Sequence, residues 1–321
     1  MPLISAADMH VVNARSAASR AGENDIVSQP RMHDDEVETN CELVRRLVAS
    51  QHPQWTDLPI ERVVSAGTDN DMYRLGDELA VRLPRIGWAV DNVAKERKWL
   101  AILAPHLPLA VPLPVAIGDP EEDFPYPWSV VQWLAGEMAT LDRLDDPVRA
   151  ALDLAAFVRA LQAVDPAGGP AHHRGLPVRL RDAQVRQGVA GLRGEVDGDA
   201  VLGAWNQVMR VPDYDGPPRW FHGDLAYLNL LARGGSLCGV IDWGTCGVGD
   251  VAIEAIVAWS LFAPDARDAF RDALRIDDAA WERGKGWVLT GVFAIPYYRD
   301  TNPVLVADKI TAIQAVLAAS S

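Results

Sequence analysis

The chain has 321 residues, of which 49% are hydrophobic, and this is long enough and apolar enough for two lobes with separate cores. Its 30 basic and 44 acidic residues give a net charge of −14, which disfavours nucleic acid and attracts cations. No apolar run approaches the roughly 18 residues that a membrane span needs. Three cysteines without CxxC spacing predict neither a disulfide framework nor a zinc site. We therefore expect a cytoplasmic protein without membrane or nucleic-acid partners.

The N-terminal stretch differs in composition from the rest of the chain. Residues 1–31 are rich in Ala and Ser, lack the apolar core of a secretory signal, and carry acidic residues that a transit peptide would avoid. We predict that residues 1–33 form a flexible extension. Met32 is an alternative first residue of the translated protein.

The next part, residues 34–131, has the pattern of a small sheet with helices. A hairpin is expected because two alternating runs flank the tight turn at Gly76-Asp77. The predicted helices are 36–50 and 91–103, and the predicted strands are 60–64, 71–75, 79–83 and 128–134.

Beyond residue 136 the pattern is mainly helical. Asp146 is predicted to cap a helix that has Pro147 at its first position. Further helices are predicted over 180–192, 201–208, 251–262, 266–274, 279–292 and 303–318. The order of elements predicts an α+β chain with a small β-rich part followed by a larger, mainly helical part.

Three polar side chains interrupt an apolar, strand-like stretch of the helical half. Asn229 follows Asp224 by five residues, and Asp242 comes thirteen residues later. The sequence between Asn229 and Asp242 predicts a hairpin with the strands 229–233 and 237–241. A hairpin brings its two ends together, so Asn229 and Asp242 should face a common point, as the ligands of one metal site must.

Phosphoryl transfer from a nucleotide needs such a set of groups. A carboxylate orients the acceptor hydroxyl and takes its proton, and hard oxygen ligands hold magnesium. Asp224 suits the catalytic role, and Asn229 and Asp242 suit the metal. We expect His222 to brace this loop and Asp250 to cap the next helix. The alternative, ordinary turn and cap residues, explains each residue singly but not all of them at this spacing.

The motifs around these residues resemble the aminoglycoside phosphotransferase (APH) and small-molecule kinase family, which has a two-lobed protein-kinase-like fold. The matching segments are FHGDLAYLNLL, GVIDWGTCGVGD, AGTDNDMYRLGDELAVRLPR and PYYRDTNP. The resemblance implies an ATP-dependent O-phosphotransferase with Mg²⁺, and GTP is an alternative nucleotide. It also implies a nucleotide-binding N-lobe at 34–131, a hinge at 132–136 and a C-lobe at 137–321.

The resemblance further implies a set of nucleotide-binding residues in the N-lobe. Gly67 and Asn70 would bind phosphate oxygens through loop amides, and Gln132 and Leu134 would lie beside the base at the hinge.

The family usually has a lysine on the third strand, paired with a helix glutamate. Here Arg82 stands in its place, with Glu96 as the implied partner. Arginine keeps the charge but presents a longer, planar fork. A catalytically weak nucleotide-binding homologue is therefore one alternative function.

The acceptor is expected to be a small molecule with a hydroxyl group, most simply a cationic, aminoglycoside-like antibiotic. Acidic side chains in the helical half would attract its ammonium groups, and the candidates are Asp182, Glu254, Asp265 and Asp300. The alternative acceptors are a macrolide, a choline-like compound, a fructosamine or another metabolite. A more apolar acceptor would instead be lined by aromatic residues such as Trp259, Tyr297 and Tyr298.

Overall fold

The computed structural model describes residues 36–63 and 69–319. Gly67 and the predicted extension at 1–33 lie outside the described residues. The described chain folds into a five-stranded antiparallel sheet with two helices, followed by a mainly helical part that contains short strands. This agrees with the predicted α+β class.

The N-terminal part is built on an antiparallel sheet with two helices. Its elements are α1 (Cys41–Gln51), β1 (Ile60–Val63), β2 (Asn70–Leu75), β3 (Leu79–Pro84), α2 (Val90–Leu103), β4 (Pro114–Gly118) and β5 (Trp128–Gln132). The strand order in the sheet is β1-β2-β3-β5-β4. The predicted β2–β3 hairpin is present, and Gly76 adopts the positive φ of 62° that its tight turn requires.

One face of this sheet packs on α1 and the other faces the rest of the molecule. Strand side chains alternate between the two faces. Val81 and Leu83 belong to the apolar core that includes Leu43 and Leu47 of α1. Arg82 lies between Val81 and Leu83 in β3, so its side chain emerges on the opposite face.

The larger part has its own apolar core. Asp146 caps α3 as predicted, since its carboxylate accepts a 2.9 Å hydrogen bond from the Arg149 amide. Its elements are β6 (Glu137–Met138), α3 (Pro147–Ala163), α4 (Asp182–Ala190), α5 (Gly198–Val208), β7 (Arg219–Phe221), β8 (Leu230–Arg233), β9 (Ser236–Val240), β10 (Gly247–Gly249), α6 (Val257–Ser260), α7 (Pro264–Leu274), α8 (Asp278–Thr290), α9 (Ala294–Tyr298) and α10 (Pro303–Ala318). Among the described helices, none is long and apolar enough to cross a membrane.

Two predicted helices differ from the structure. The first begins only at Cys41, because the Asn40 side chain accepts a 2.8 Å hydrogen bond from the Leu43 amide and starts the helix there. The predicted helix at 251–262 is a 3₁₀ segment, Val251–Ile256, followed by the short α6. Asp250 starts this segment by accepting a 3.0 Å hydrogen bond from the Ala252 amide. The capping role expected of Asp250 is therefore present, but it initiates a 3₁₀ turn.

Candidate active site

A cavity of about 650 Å³ lies where the sheet meets the helical part. Most of the predicted site residues share its wall. They are Asn70, Arg82, Gln132 and Leu134 from the N-terminal part, and Asp224, Asn229 and Asp242 from the C-terminal part. Residues predicted for nucleotide, metal and catalytic chemistry are thus brought to one cavity, as a phosphoryl-transfer site requires.

The loop that carries Asp224 is held from both sides of Gly223. The Gly223 amide donates a 2.8 Å hydrogen bond to Glu254 Oε1, and its carbonyl accepts one of 2.7 Å from Arg174 Nη1. Gly223 has a φ of 87°, and a Cβ there would lie 2.9 Å from the Thr245 carbonyl oxygen. Only glycine fits this conformation without moving the backbone.

His222 connects this loop to the strand that leads to Asp242. Its Nδ1 accepts a 3.2 Å hydrogen bond from the Asp224 amide, and its Nε2 donates one of 3.0 Å to the Ile241 carbonyl. Burial lowers the pKa of His222 to about 4, so the ring is neutral and can make both bonds at once. The ring therefore has the geometry of the predicted brace.

Asp224 is fixed and ionised. Arg174 Nη1 donates to its Oδ1 at 2.7 Å, and Asn229 Nδ2 donates to its Oδ2 at 3.1 Å. Burial opposes its ionisation, but the charges of Arg174 and Lys309 outweigh burial and lower its pKa to about 2. The side chain is still 26% exposed to the cavity, so an acceptor hydroxyl could reach it.

Asn229 and Asp242 have the donor chemistry of a magnesium site. Both nitrogen hydrogen bonds of the Asn229 amide go to Asp224, at 2.9 and 3.1 Å, which leaves its Oδ1 as a potential ligand. The Ile241 amide donates to the Asn229 carbonyl at 2.9 Å, so the two ends of the hairpin meet as predicted.

Asp242 is held in an unusual environment. Its backbone is left-handed, with φ 62° and ψ 73°, a conformation that non-glycine residues adopt mainly where the surrounding structure enforces it. Burial, together with the nearby Asp224 and Asp69, raises its pKa to about 6 against the opposing charge of Arg82. A bound cation would relieve this repulsion, so the residues present fit a divalent metal.

Arg82 forms a buried ion pair with Glu96 of α2. Its side chain lines the cavity although the residue is only 8% exposed. Burial disfavours its charge, but Glu96 and Asp242 outweigh burial and raise its pKa. Arg82 is therefore a permanent cation at the cavity wall, oriented by a carboxylate. The Arg82 side chain thus faces the cleft and not the outer face of the sheet.

Glu254, predicted as an acceptor ligand, lies beneath the loop that carries Gly223 and Asp224 instead. It is fully buried and accepts the hydrogen bond from Gly223 described above. Burial raises its pKa to about 7 against the backbone hydrogen bonds that favour ionisation. Its burial and its hydrogen bond to the Gly223 amide keep this side chain out of the cavity lining, which corrects the expectation that it faces the acceptor.

The other acidic candidates also lie outside the cavity lining. Asp182 accepts hydrogen bonds from Arg186 at 3.0 Å and from the Trp205 indole at 2.8 Å. Asp265 and Asp300 are exposed, the first in the opening turn of α7 and the second in the turn after α9. The structure therefore corrects the expectation of an acidic acceptor wall built from these residues.

The wall near Asp224 is built from residues that the sequence did not single out. They are His173, Arg174, Arg181, Asp308 and Lys309, which come from the segment before α4 and from α10. The charged residues Asp308 and Lys309 interrupt the otherwise apolar helix 303–318, and this was one sequence signal that could have identified them.

Among the aromatic candidates, only Tyr298 lines the cavity. Trp259 lies in the core, and Tyr297 is on the surface.

Comparison with known proteins identifies a family for this chain. The model of the family described as the phosphotransferase enzyme family (APH) matches residues 61–287. A search among curated proteins finds no match to the chain.

Solved structures share the fold at low sequence identity. The GDP and kanamycin complex of an APH(2″) enzyme is 19% identical with a TM-score of 0.71, and the match covers 87% of this chain and 99% of that chain. The ternary complex of aminoglycoside phosphotransferase APH(4)-Ia with AMP-PNP and hygromycin B is 18% identical with a TM-score of 0.58, covering 87% and 99%. Macrolide 2′-phosphotransferase MphH from Brachybacterium faecium is 19% identical with a TM-score of 0.57, covering 86% and 97%.

These neighbours confirm the predicted two-lobed, kinase-like fold. The family match covers well over half of the chain. The chain belongs to the phosphotransferase enzyme family (APH), whose members are small-molecule kinases.

Proposed function

We propose that the protein transfers the γ-phosphoryl group of ATP, or of GTP, to a hydroxyl group of a small molecule bound in the cavity. The observation behind this proposal is the meeting of Asp224, Asn229, Asp242 and Arg82 on one wall. An ionised carboxylate, two oxygen ligands and a fixed cation are the groups that phosphoryl transfer uses.

Asp224 is the catalytic residue in this proposal. It accepts a hydrogen bond from the acceptor hydroxyl and orients its oxygen toward the γ-phosphorus. As the new oxygen–phosphorus bond forms, the bond from the γ-phosphorus to the bridging oxygen breaks and the nucleoside diphosphate leaves. The hydroxyl proton passes to Asp224. Because the pKa of Asp224 is about 2, the carboxylate mainly orients the hydroxyl and takes the proton late in the reaction.

The remaining groups hold the donor. Asn229 Oδ1 and the Asp242 carboxylate would hold Mg²⁺, which when bound neutralises charge on the phosphate oxygens. Arg82 would contact phosphate oxygens while Glu96 keeps its guanidinium in position. Asn70 and Gly67 would bind phosphate oxygens. Gln132 and Leu134 would lie beside the base.

Two acceptor classes are consistent with the neighbours. The complexes with kanamycin and hygromycin B favour an aminoglycoside-like acceptor, and the macrolide 2′-phosphotransferase favours a less polar one. At 18–19% identity these likenesses support the fold alone. The class of acceptor therefore has to be inferred from the residues that line this cavity.

A coupled nucleotide-consumption screen tests the proposal. Purified protein is incubated with ATP or GTP, Mg²⁺ and single hydroxyl compounds that include aminoglycosides, macrolides, sugars and hydroxy acids. We expect at least one compound to stimulate consumption in the wild type and none to do so in Asp224→Asn. Nucleotide binding without stimulation by any compound would instead favour the catalytically weak homologue.

A further inference from the structure

The cavity wall on the acceptor side of Asp224 carries three cationic side chains, Arg174, Arg181 and Lys309. Arg174 is paired with Asp224 at 2.7 Å, and Lys309 Nζ donates to Asp308 Oδ2 at 2.9 Å. For Arg181, the hydrogen bond to the His173 carbonyl is 3.4 Å long, and no carboxylate within the described ranges is at ion-pair distance. Arg181 is therefore a cation at the cavity wall whose charge no carboxylate of residues 36–63 and 69–319 neutralises directly.

Arg181 and Arg174 are close enough to repel each other. The pKa of Arg181 is lowered by burial and then by the charge of Arg174. The pKa of the neighbouring His173 falls to about 4 because it is partly buried and lies beside both arginines. An oxyanion placed between these groups would remove the repulsion and accept charge-assisted hydrogen bonds from the guanidinium.

The same wall offers little to a polycation. Its carboxylates on the acceptor side are Asp224 and Asp308, and each is already paired with a cation. The Asp308 side chain is only 1% exposed. An ammonium-rich acceptor would therefore meet three cations, and each carboxylate that it approached would already carry a paired cation.

Most of the rest of the acceptor side is apolar. Its wall includes Ile253, Ile256, Trp287, Val288, Phe293 and Leu305. The Arg181 guanidinium lies 5.8 Å from the centroid of the Trp287 ring, so the cation borders the apolar surface. A ligand that fills this space needs an apolar body with a charged group at one end.

We propose that the acceptor is a hydroxyl compound with an apolar body and one oxyanion group, a carboxylate or a phosphate ester, that binds at Arg181. Arg174 and Lys309 add positive charge to the same region. Binding the oxyanion at Arg181 would fix the orientation of the acceptor and bring its hydroxyl group to Asp224. This inference rests on the proposed phosphotransferase function and narrows its substrate class.

Matched ligands that differ only in charge provide the test. Phenyllactate, phenyllactamide and the amine in which an aminomethyl group replaces the carboxylate of phenyllactate carry the same hydroxyl group on one apolar scaffold, beside a negative, neutral or positive group. The monophosphate ester of phenylpropanediol separates phosphate from carboxylate, and a matching series on a decyl chain varies the apolar body. Dissociation constants are measured by calorimetry at saturating ADP and Mg²⁺, and phosphorylated products are detected by mass spectrometry.

We expect an oxyanion member of at least one series to bind about tenfold or more tightly than its amide and amine partners. Arg181→Ala should abolish this preference without weakening the amide, and Arg181→Lys should keep part of it. Arg179→Ala is the matched control, because Arg179 pairs with Asp213 on the surface. Melting temperatures identify a variant that does not fold. If Arg181→Ala does not fold, the oxyanion preference of Arg181→Lys is compared with that of the wild type.

The two proposals can fail separately. Absence of an oxyanion preference in every series, or an unchanged preference in Arg181→Ala, overturns the inference. Faster phosphorylation of kanamycin than of any oxyanion compound also overturns it while supporting the phosphotransferase. Arg181-dependent oxyanion binding without phosphorylation of any compound supports the ligand class and contradicts the phosphotransferase function.

Discussion

Arg174 Nη1 donates hydrogen bonds of 2.7 Å both to the Asp224 carboxylate and to the Gly223 carbonyl. One cation thus fixes the side chain and the backbone of the loop that carries the proposed catalytic residue. It also keeps Asp224 ionised, since its charge helps to lower the pKa of Asp224 to about 2. The carboxylate is therefore available for a hydroxyl group throughout the neutral pH range.

Replacing Asp224 with Asn should reduce acceptor-dependent turnover by a factor of about 10²–10⁴, the usual contribution of a general base. Nucleotide affinity should change little, because Asp224 would contact the acceptor. Asp153→Asn, on the exposed side of α3, is the control. Steady-state kinetics and nucleotide titration measure both effects. A variant that keeps more than about a tenth of wild-type turnover contradicts the role of Asp224.

Asp242→Ala should remove the magnesium dependence of nucleotide binding, and Asn229→Ala should weaken it less. A carboxylate binds a hard cation more strongly than a neutral amide oxygen does. Calorimetric titration of ADP with and without Mg²⁺ compares the variants. Equal affinity of the wild type and Asp242→Ala at saturating Mg²⁺ would show that the metal is held elsewhere.

Arg82→Ala should raise the KM for nucleotide about tenfold or more and lower kcat, because a charged hydrogen bond to phosphate is lost. Arg82→Lys should recover only part of the lost nucleotide affinity and turnover, since the compact ammonium cannot reproduce the planar fork that Glu96 orients. Arg46→Ala, exposed on α1, serves as the control. If KM for nucleotide and kcat are unchanged in Arg82→Ala, a cation other than Arg82 binds the phosphates.

Glu254 should make stability depend on pH. Its pKa is raised to about 7 in the folded protein, so the folded state binds its proton more tightly than the unfolded state. This contribution is complete below the unfolded pKa of about 4.3 and is lost as the pH rises through about 7.

Urea unfolding at about pH 5 and about pH 8 measures this effect. Between these values the wild type should lose about 2 kcal/mol more stability than Glu254→Gln, which keeps an oxygen for the Gly223 amide but cannot ionise. The same pH dependence in both proteins would mean that Glu254 does not titrate in this range. Glu254→Ala, which leaves the buried amide unpaired, should cost about 1–3 kcal/mol at either pH.

The ion pair between Arg283 and Asp250 should be important for stability. Arg283 Nε lies 2.7 Å from Asp250 Oδ2, and the side chains are 6% and 4% exposed. Arg283→Ala leaves a buried carboxylate without its partner, and we expect a loss of about 3–5 kcal/mol in the free energy of unfolding. The exposed pair of Arg149 and Asp153 is the control, and Arg149→Ala should cost less than about 1 kcal/mol. Similar losses in the two variants would contradict this difference.

Local sequence signals predicted much of the scaffold. The β2–β3 hairpin, the cap at Asp146 and the meeting of Asn229 with the strand before Asp242 depend on turns and short-range spacing, and all are present. Such features follow from residues that are close along the chain, so one sequence suffices to find them.

The acceptor wall could not be predicted in the same way. Arg174 and Lys309 lie fifty or more residues from Asp224 along the chain, so no local spacing connects them to it. Asp182 and Glu254 look like exposed acidic residues in the sequence, but their partners, Trp205 and Gly223, are supplied by tertiary packing. Whether a polar helix residue faces a cavity, a neighbour or solvent depends on contacts that periodicity does not specify.

Transfer of a radiolabelled γ-phosphate is the most direct test of the central claim. The protein is incubated with labelled ATP, Mg²⁺ and the best acceptor from the screen, and the label is followed into organic product and into inorganic phosphate. We predict label on the acceptor oxygen in the wild type and almost none with Asp224→Asn. Label that appears only as inorganic phosphate, at the same rate in both proteins, would contradict hydroxyl phosphorylation at this site.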